Sequence, residues 1–515
     1  MDGLAAVTEQ WVEQGSRAKK IPVGSAFECE EITGGPLATQ RFLQLLKINF
    51  QYQQKTGKAR RLGTRWQDAF GKECIPVLPD PKLHDPLLFM GFKAYVRAEP
   101  KPDNPLSDNA KETISGGVIL ILGAGNVSSI PLTDALTKLF LERRCVLLKM
   151  NPVNAYLTPL FEKAFAPLIR EGYLTFIQGG ADVGAYATNH DLVHAVHITG
   201  SSQSHDTIVW GADRQEREQR VRENRPKLQK EITSELGNVT PWIVTPGPYS
   251  RREIAFQAES IATSIVNNAS FNCIATKVVL TWKQWDQREA MMSQLERVLK
   301  ETDRRVPYYP GARDRFRRFA PNVSIADHET TLPWTLIRNL DPGHAPQYLE
   351  EESFVCVCVE VAIDAKSDID FLQKATSFAN DKLWGTLAAG ITVHPRFRRD
   401  PERERHFQET LDQLRYGVVG INHWVGVAFA MMGIPWGGYP GQSLKDPQSG
   451  LGWVHNAYQL SNIEKSIFEG PLTVFPKPIW LPTHKNPSPV AWSLLDHYHQ
   501  PTLWKLLKVM AKAMT

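Results

Sequence analysis

A chain of 515 residues is too long for one compact core and implies two or three domains. Its 42% hydrophobic and 22% charged residues are ordinary for a globular protein, and a formal charge of +4 gives no case for nucleic-acid binding. Six cysteines (29, 74, 145, 273, 356 and 358) lack CxxC spacing, which argues against a metal site or a disulfide framework and for a reducing compartment, the cytoplasm.

The opening stretch MDGLAAVTEQWVEQ carries early acidic residues and no continuous apolar segment, so it does not read as a secretory signal. No apolar run approaches the roughly 20 residues of a membrane-spanning helix. Lys93 to Thr113 combines Ala-Tyr-Val-Arg-Ala with a turn-rich Pro-Lys-Pro-Asp-Asn-Pro and reads as a hairpin projecting from the first domain.

From Val118 the text alternates. Val118 to Leu122 is a strand ending in Gly123-Ala-Gly-Asn126, and Leu132, Leu136 and Leu139 share one helical face after Pro131. Cys145 to Met150 is a second strand and Leu157 to Ile169 a second helix. Leu174 to Ile177 and Ala195 to Ile198 continue the series. Such β-α-β-α order predicts a parallel sheet covered on both faces. The charged run Arg214 to Arg225 reads as a solvated helix.

The alternation resumes after Cys273. Strands are expected over Val278 to Trp282, Phe354 to Val361, Thr386 to Val393 and Val418 to Asn422. Helices are expected over Gln284 to Leu299, Ile369 to Ala379 and Glu402 to Leu414. Two successive α/β sheets predict a cleft between them for a cofactor and a substrate. The tail from 463 is rich in proline and aromatics and ends in Leu503-Trp-Lys-Leu-Leu-Lys-Val-Met-Ala-Lys-Ala-Met514, a basic amphipathic helix that docks on the fold or touches a membrane surface.

Several stretches occur in an informative order: LGAGNVSSIP, VLLKMNP, GGADVGAYA, HITGSS, EITSELGNVTPWIV, NNASFNCIATKVVL, EEESF, FANDKLWGTLAAGITV, GINHW and PWGGYPGQS. Together they resemble the aldehyde dehydrogenase superfamily over about residues 90 to 460, as a divergent member. The resemblance implies an aldehyde-dehydrogenase-like α/β fold of two parallel-sheet domains, a Rossmann-like cofactor domain and a catalytic thiol domain, with a small β bridging and oligomerisation element. The expected boundaries are 1–94 and 114–235 for cofactor binding, 236–445 for catalysis, 95–113 and 446–470 for the bridging element, and 471–515 for a C-terminal extension.

The resemblance also assigns roles. Cys273 falls on the nucleophile, Glu235 on the general base and Asn126 on the side-chain amide of the oxyanion hole. Lys149 matches the contact to the adenosine ribose, Gly200 and Ser201 the turn near the pyrophosphate, and Glu352 with Phe354 the pair at the nicotinamide ribose and ring. The cofactor is NAD or NADP. Pro152 stands where a carboxylate often binds the ribose hydroxyls, and its lack of charge removes one barrier to NADP. His205 replaces a glycine near the pyrophosphate.

The chemistry needs these residue types. An aldehyde gives up a hydride only after a nucleophile makes a tetrahedral adduct, whose oxygen needs hydrogen-bond donors. Hydrolysis of the resulting thioester needs a base such as a buried carboxylate. The expected activity is NAD(P)-dependent oxidation of an aldehyde to a carboxylic acid. Alternatives are a CoA-acylating dehydrogenase or acyl-CoA reductase, and a non-catalytic binding relative. Phe271 and His423-Trp424 hint at an apolar or aromatic aldehyde. A homodimer or homotetramer is expected, built through the hairpin 95–113 and the segment near Ile463 to Ile467.

Overall fold

The apolar run Val118–Leu122 lies at the centre of a six-stranded sheet, with Ile119, Leu120 and Ile121 buried on both faces as a covered parallel strand requires. This is a computed structural model describing residues 1–99, 116–326 and 328–514. The strand order is Gly450–Leu451, Glu231–Glu235, Val193–Thr199, Val118–Leu122, Cys145–Lys149, Leu174–Ile177. All neighbours are parallel except the short Gly450–Leu451 edge, which runs against Glu231–Glu235. The chain leaves Val118–Leu122 toward one side of the sheet and Val193–Thr199 toward the other. Their following loops, 123–126 and 200–202, therefore flank the switch point where such sheets bind ligands.

The second sheet has ten strands in the order Trp66–Gln67, Glu73–Leu78, Lys93–Ala98, Ile463–Glu469, Val418–Ile421, Ala388–Thr392, Thr240–Val244, Thr276–Trp282, Val357–Ile363, Thr335–Ile337. The seven from Ile463–Glu469 onward are mutually parallel, and the three at the other end are antiparallel. The fold is thus the expected α/β architecture of two sheets.

Its first 98 residues are distributed differently from the expectation. The three strands between Trp66 and Ala98 join the second sheet, not the cofactor-binding one. Pro76 interrupts the alternation of Glu73–Leu78, which hides that strand in the sequence. Residues 446–470 divide likewise, Gly450–Leu451 to the first sheet and Ile463–Glu469 to the second. The two strands expected to take part in association, Lys93–Ala98 and Ile463–Glu469, pair with each other within the chain. Lys93–Ala98 lies between Glu73–Leu78 and Ile463–Glu469, so both its edges are satisfied; the rest of the expected hairpin, 100–113, lies outside the described residues.

Local chemistry explains other departures. The helix expected over 157–169 breaks at Phe165 into Thr158–Ala164 and Ala166–Arg170, because Pro167 cannot donate to the ladder. Arg214–Glu223 is an exposed helix, capped by Asp213 and laced by Arg214–Glu218 and Arg220–Glu216 pairs, as its composition predicts. The N-terminal helices Thr8–Ala18 and Ala38–Thr56 are held to the body by buried polar contacts. Trp11 donates to Ser128 at 3.0 Å, and Arg41 pairs with Asp85 at 2.7 Å beneath the Tyr498 ring. Among the described residues no helix is long and apolar enough to cross a membrane.

Candidate active site

Cys273 is delivered by the helix Arg251–Val266, whose start is fixed by a capping box: Ser250 and Glu253 each accept the other's backbone N–H. After that helix the chain turns through three left-handed residues, Asn268, Ala269 and Ser270, with φ of 52°, 55° and 68°. For Ala269 and Ser270 this costs about 1 kcal/mol or more each. The surroundings hold the turn in place. The Asn268 N–H donates to Glu30, and its side chain donates to the carbonyls of Asn126 and Phe271. Lys277 donates to Ser270 Oγ at 3.0 Å and to the Val355 carbonyl at 2.8 Å. The loop leaves the Cys273 thiol partly open and places it between two cavities.

Asn126 is brought to the same loop. Its amide donates to the Phe271 carbonyl at 3.0 Å, two residues before the thiol, and its own carbonyl accepts from Tyr308. One N–H of the amide is thereby engaged and the second remains for an oxyanion.

Glu235 ends the strand Glu231–Glu235 and is clamped on both sides, its carbonyl accepting the Gly200 N–H and its Cα paired with Gly450. Burial pushes its carboxyl up to about 8, and Asp134 and Glu352 act in the same direction. The Cys273 thiol and the Trp436 indole oppose this in part, yet Oε1 makes no hydrogen bond. The thiol is itself held well above its usual range, by burial first and then by Glu235 and Glu352. At neutral pH the resting pair is therefore an uncharged acid beside an uncharged thiol.

A stability effect follows. Between about pH 4.5 and 8 the folded chain keeps a proton on Glu235 that the unfolded chain releases, so stability falls as pH rises through that window. Glu235→Gln cannot ionise and escapes the loss, which is worth a few kcal/mol. The melting temperature of the variant relative to wild type should rise by about 3 °C or more from pH 6 to pH 9. A pH-independent difference would show that Glu235 titrates normally.

The first cavity is a polar cleft of about 1050 Å³ between the sheets. It is lined by all the residues expected to hold a cofactor, namely Lys149, Gly200, Ser201, Glu352 and Phe354, and by Glu235, Asn126 and Cys273. Ser201 caps the helix Ser202–Trp210 by accepting the Ser204 N–H, and the first residues of that helix line the cleft. His205 is fully buried and does not line the cleft, so its ring takes up no space there. Glu352 accepts the Asn238 N–H, and its Oε1 has no partner. Burial raises this carboxyl while Lys277 lowers it. Gly237 is required here: a Cβ on it would lie 2.1 Å from Glu352 Oε2.

The second cavity is an apolar channel of about 330 Å³ running from Cys273 to the surface. Trp424 lines it, but the other two expected aromatics do not. Phe271 is fully buried in a cluster with Tyr308, Tyr309 and Phe354. His423 is buried against Phe92 and Trp480 and bonds the Pro471 carbonyl at 2.8 Å. Adjacency in sequence misled because both segments are irregular turns, in which the Phe271 and His423 rings pack into aromatic clusters away from the channel.

Five residues at the site carried no earlier assignment. Glu30 anchors the loop from 238 positions away, and Arg305 pairs with it at 2.7 Å. Tyr308 bridges Asn126 and Asn268. Arg315 lines the cleft beside Phe354. For Lys277 a signal existed: a lysine inside the apolar strand Thr276–Trp282 needs a buried partner.

The fold and the site define a two-sheet α/β protein whose Cys273 thiol lies where a large cleft meets an apolar channel. Residues 115–304 match the model of the aldehyde dehydrogenase family. The chain is 24% identical over 337 residues to the putative aldehyde dehydrogenase DhaS of Bacillus subtilis, a match covering 61% of this chain and 58% of that protein, under two thirds of its length. In fold it is similar to a Mycobacterium tuberculosis aldehyde dehydrogenase solved with NAD+ (TM-score 0.53, 18% identity, 92% of this chain and 86% of the other). It is also similar to the glyceraldehyde-3-phosphate dehydrogenase GapN of Methanocaldococcus jannaschii solved with NADP (TM-score 0.50, 14% identity, 91% and 94%). The chain thus carries an aldehyde dehydrogenase family match over residues 115–304 and shares its fold with solved aldehyde dehydrogenases.

Proposed function

We propose that this protein oxidises an aldehyde to a carboxylic acid with NAD or NADP, through a thiohemiacetal and a thioester on Cys273. The observation that carries the reading is the position of the thiol, open to the polar cleft on one side and to the apolar channel on the other. An aldehyde arriving by the channel meets the thiol at the point where a cofactor in the cleft ends.

The residues present fit that cofactor. The partnerless Glu352 Oε1 needs a donor such as a ribose hydroxyl, and the start of Ser202–Trp210 suits a pyrophosphate. Lys149, Gly200, Ser201, Glu352 and Phe354 would hold it. Asn151 and Pro152 put no charge beside Lys149, whose one acidic neighbour of note is Asp182, and we take both NAD and NADP as acceptable. When bound, the cofactor supplies the hydride acceptor.

The chain's own groups supply the rest. Ionised Glu235 takes the proton of Cys273, and the thiolate sulfur bonds to the aldehyde carbon. The free N–H of Asn126 and the Cys273 backbone N–H receive the oxyanion. Loss of hydride leaves a thioester, and Glu235 gives up the thiol's proton to solvent; it then takes a proton from the attacking water and returns it to the sulfur as the acid leaves. A base poised at about 8 favours water over CoA as the acceptor. The six free cysteines suit a reducing compartment, and we place the enzyme in the cytoplasm.

The test is NAD(P)H formation over aldehydes of increasing chain length, with and without CoA. Turnover without CoA, rising with chain length, is expected. An absolute CoA requirement would establish the acylating reaction instead. Cofactor binding with no turnover of any aldehyde would mark a binding protein.

A further inference from the structure

The outer end of the apolar channel and the C-terminal helix form one continuous surface. Of fifteen exposed large hydrophobic side chains among the described residues, eight belong to it. Leu87, Met90, Phe475, Met510 and Met514 are exposed and also line the channel, so they form its open rim. Leu503, Trp504 and Leu507 continue the patch along the helix Leu503–Ala513.

That helix is only half accommodated by the fold. Leu506 and Val509 are its buried contacts. Leu503, Leu507, Met510 and Met514, spaced i, i+4, i+7 and i+11, make a second apolar stripe that faces outward. Lys505, Lys508 and Lys512 lie on the remaining side, Lys505 paired with Asp496 of the preceding helix at 2.9 Å, and the helix itself contains no acidic residue. An apolar stripe flanked by lysines is the pattern of a helix lying in the headgroup region of an anionic bilayer.

We propose that this face seats on an anionic lipid surface and that the substrate is a long-chain aldehyde drawn from that surface into the channel. This deepens the function proposed above and rests on it. The charge argues for lipid over a second copy of the chain, since a self-contact through this helix would set two lysine-bearing helices together. The channel argues the same way. Its mouth opens within the apolar patch, so a seated molecule presents the mouth to the lipid. At about 30 Å³ per water-sized group, 330 Å³ holds roughly ten carbons, and a longer chain would keep its tail in the membrane while its carbonyl reaches Cys273.

The experiment uses the full chain with vesicles of phosphatidylcholine alone or with phosphatidylserine, and with hexadecanal or butanal as substrate. Wild type should sediment with the anionic vesicles and much less with the neutral ones. Leu503→Asp and Leu507→Asp replace exposed residues outside the channel, and each should weaken that binding about tenfold. Oxidation of vesicle-borne hexadecanal should fall in parallel, while oxidation of water-soluble butanal stays unchanged. Wild type that oxidises butanal yet ignores anionic vesicles would overturn the docking. So would light scattering that shows a dimer abolished by the same substitutions. Vesicle binding without any preference of either variant between the two aldehydes would overturn the delivery of substrate. Absence of all aldehyde turnover, with vesicle binding intact, would instead remove the proposed function and leave the lipid contact standing.

Discussion

Cys273→Ala is expected to lower aldehyde oxidation by about 10⁴-fold or more while leaving NAD(P) binding close to wild type. The thiol forms the bond that makes hydride loss possible, and no other side chain at the junction of cleft and channel can replace it. Asn126, Glu235 and Glu352 are there as an amide and two carboxyls, and Cys29, which also lines the channel, has a thiol raised by burial and directed at the Ile479 carbonyl. Cys356 and Cys358 are buried on the strand side of Lys277, and their thiols are pushed up to about 12 by burial. The cofactor contacts come from other loops, so binding monitored by nicotinamide fluorescence should survive. Turnover by the alanine variant within a hundredfold of wild type would move the nucleophile elsewhere and undo the mechanism.

The parts of this site that were legible in the sequence share a physical origin. Parallel strands covered on both faces are short apolar runs ended by glycine or asparagine, and Val118–Leu122, Cys145–Lys149 and Val418–Ile421 are of this kind. The functional loops follow such strands, so ordered motifs located Cys273, Glu235 and the cleft residues in one place. The nucleophile loop was less transparent. Its left-handed Ala269 and Ser270 are residues that do not favour that conformation, and what holds them is Glu30, Lys277 and the Val355 carbonyl, all brought in by tertiary structure.

The channel was the least legible. Its walls come from the N-terminal helices, the irregular strap 474–482 and the last helix, none with a periodicity that points inward. One strand pairing was legible without its context. Lys93–Ala98 and Ile463–Glu469 were recognisable as a pair, but a pairing rule does not say whether the partner belongs to the same chain; here it does.

Glu235→Gln tests the second half of the reaction. The substitution keeps the shape of the side chain, the thiol, the amide donors and the cleft, and removes only the base. The first half of the reaction also draws on Glu235, since it takes the thiol proton, so the variant should still transfer one hydride per site, more slowly and faster at higher pH as the thiol ionises unaided. The second half has no such substitute: water attacks a thioester poorly without a base. A single-turnover burst of NAD(P)H should therefore be followed by a steady state about 10²- to 10⁴-fold below wild type. The stalled acyl group should appear as added mass on the peptide that carries Cys273. In wild type the steady-state rate should rise with pH through about 8, where the buried carboxyl loses its proton, and that rise should vanish in the variant. CoA is a better nucleophile than water and needs less help, so adding it should release the trapped acyl group only if the channel or cleft admits it. Unchanged turnover in the Gln variant, with the pH dependence intact, would place the base on another residue and return the hydrolytic and acylating readings to equal footing.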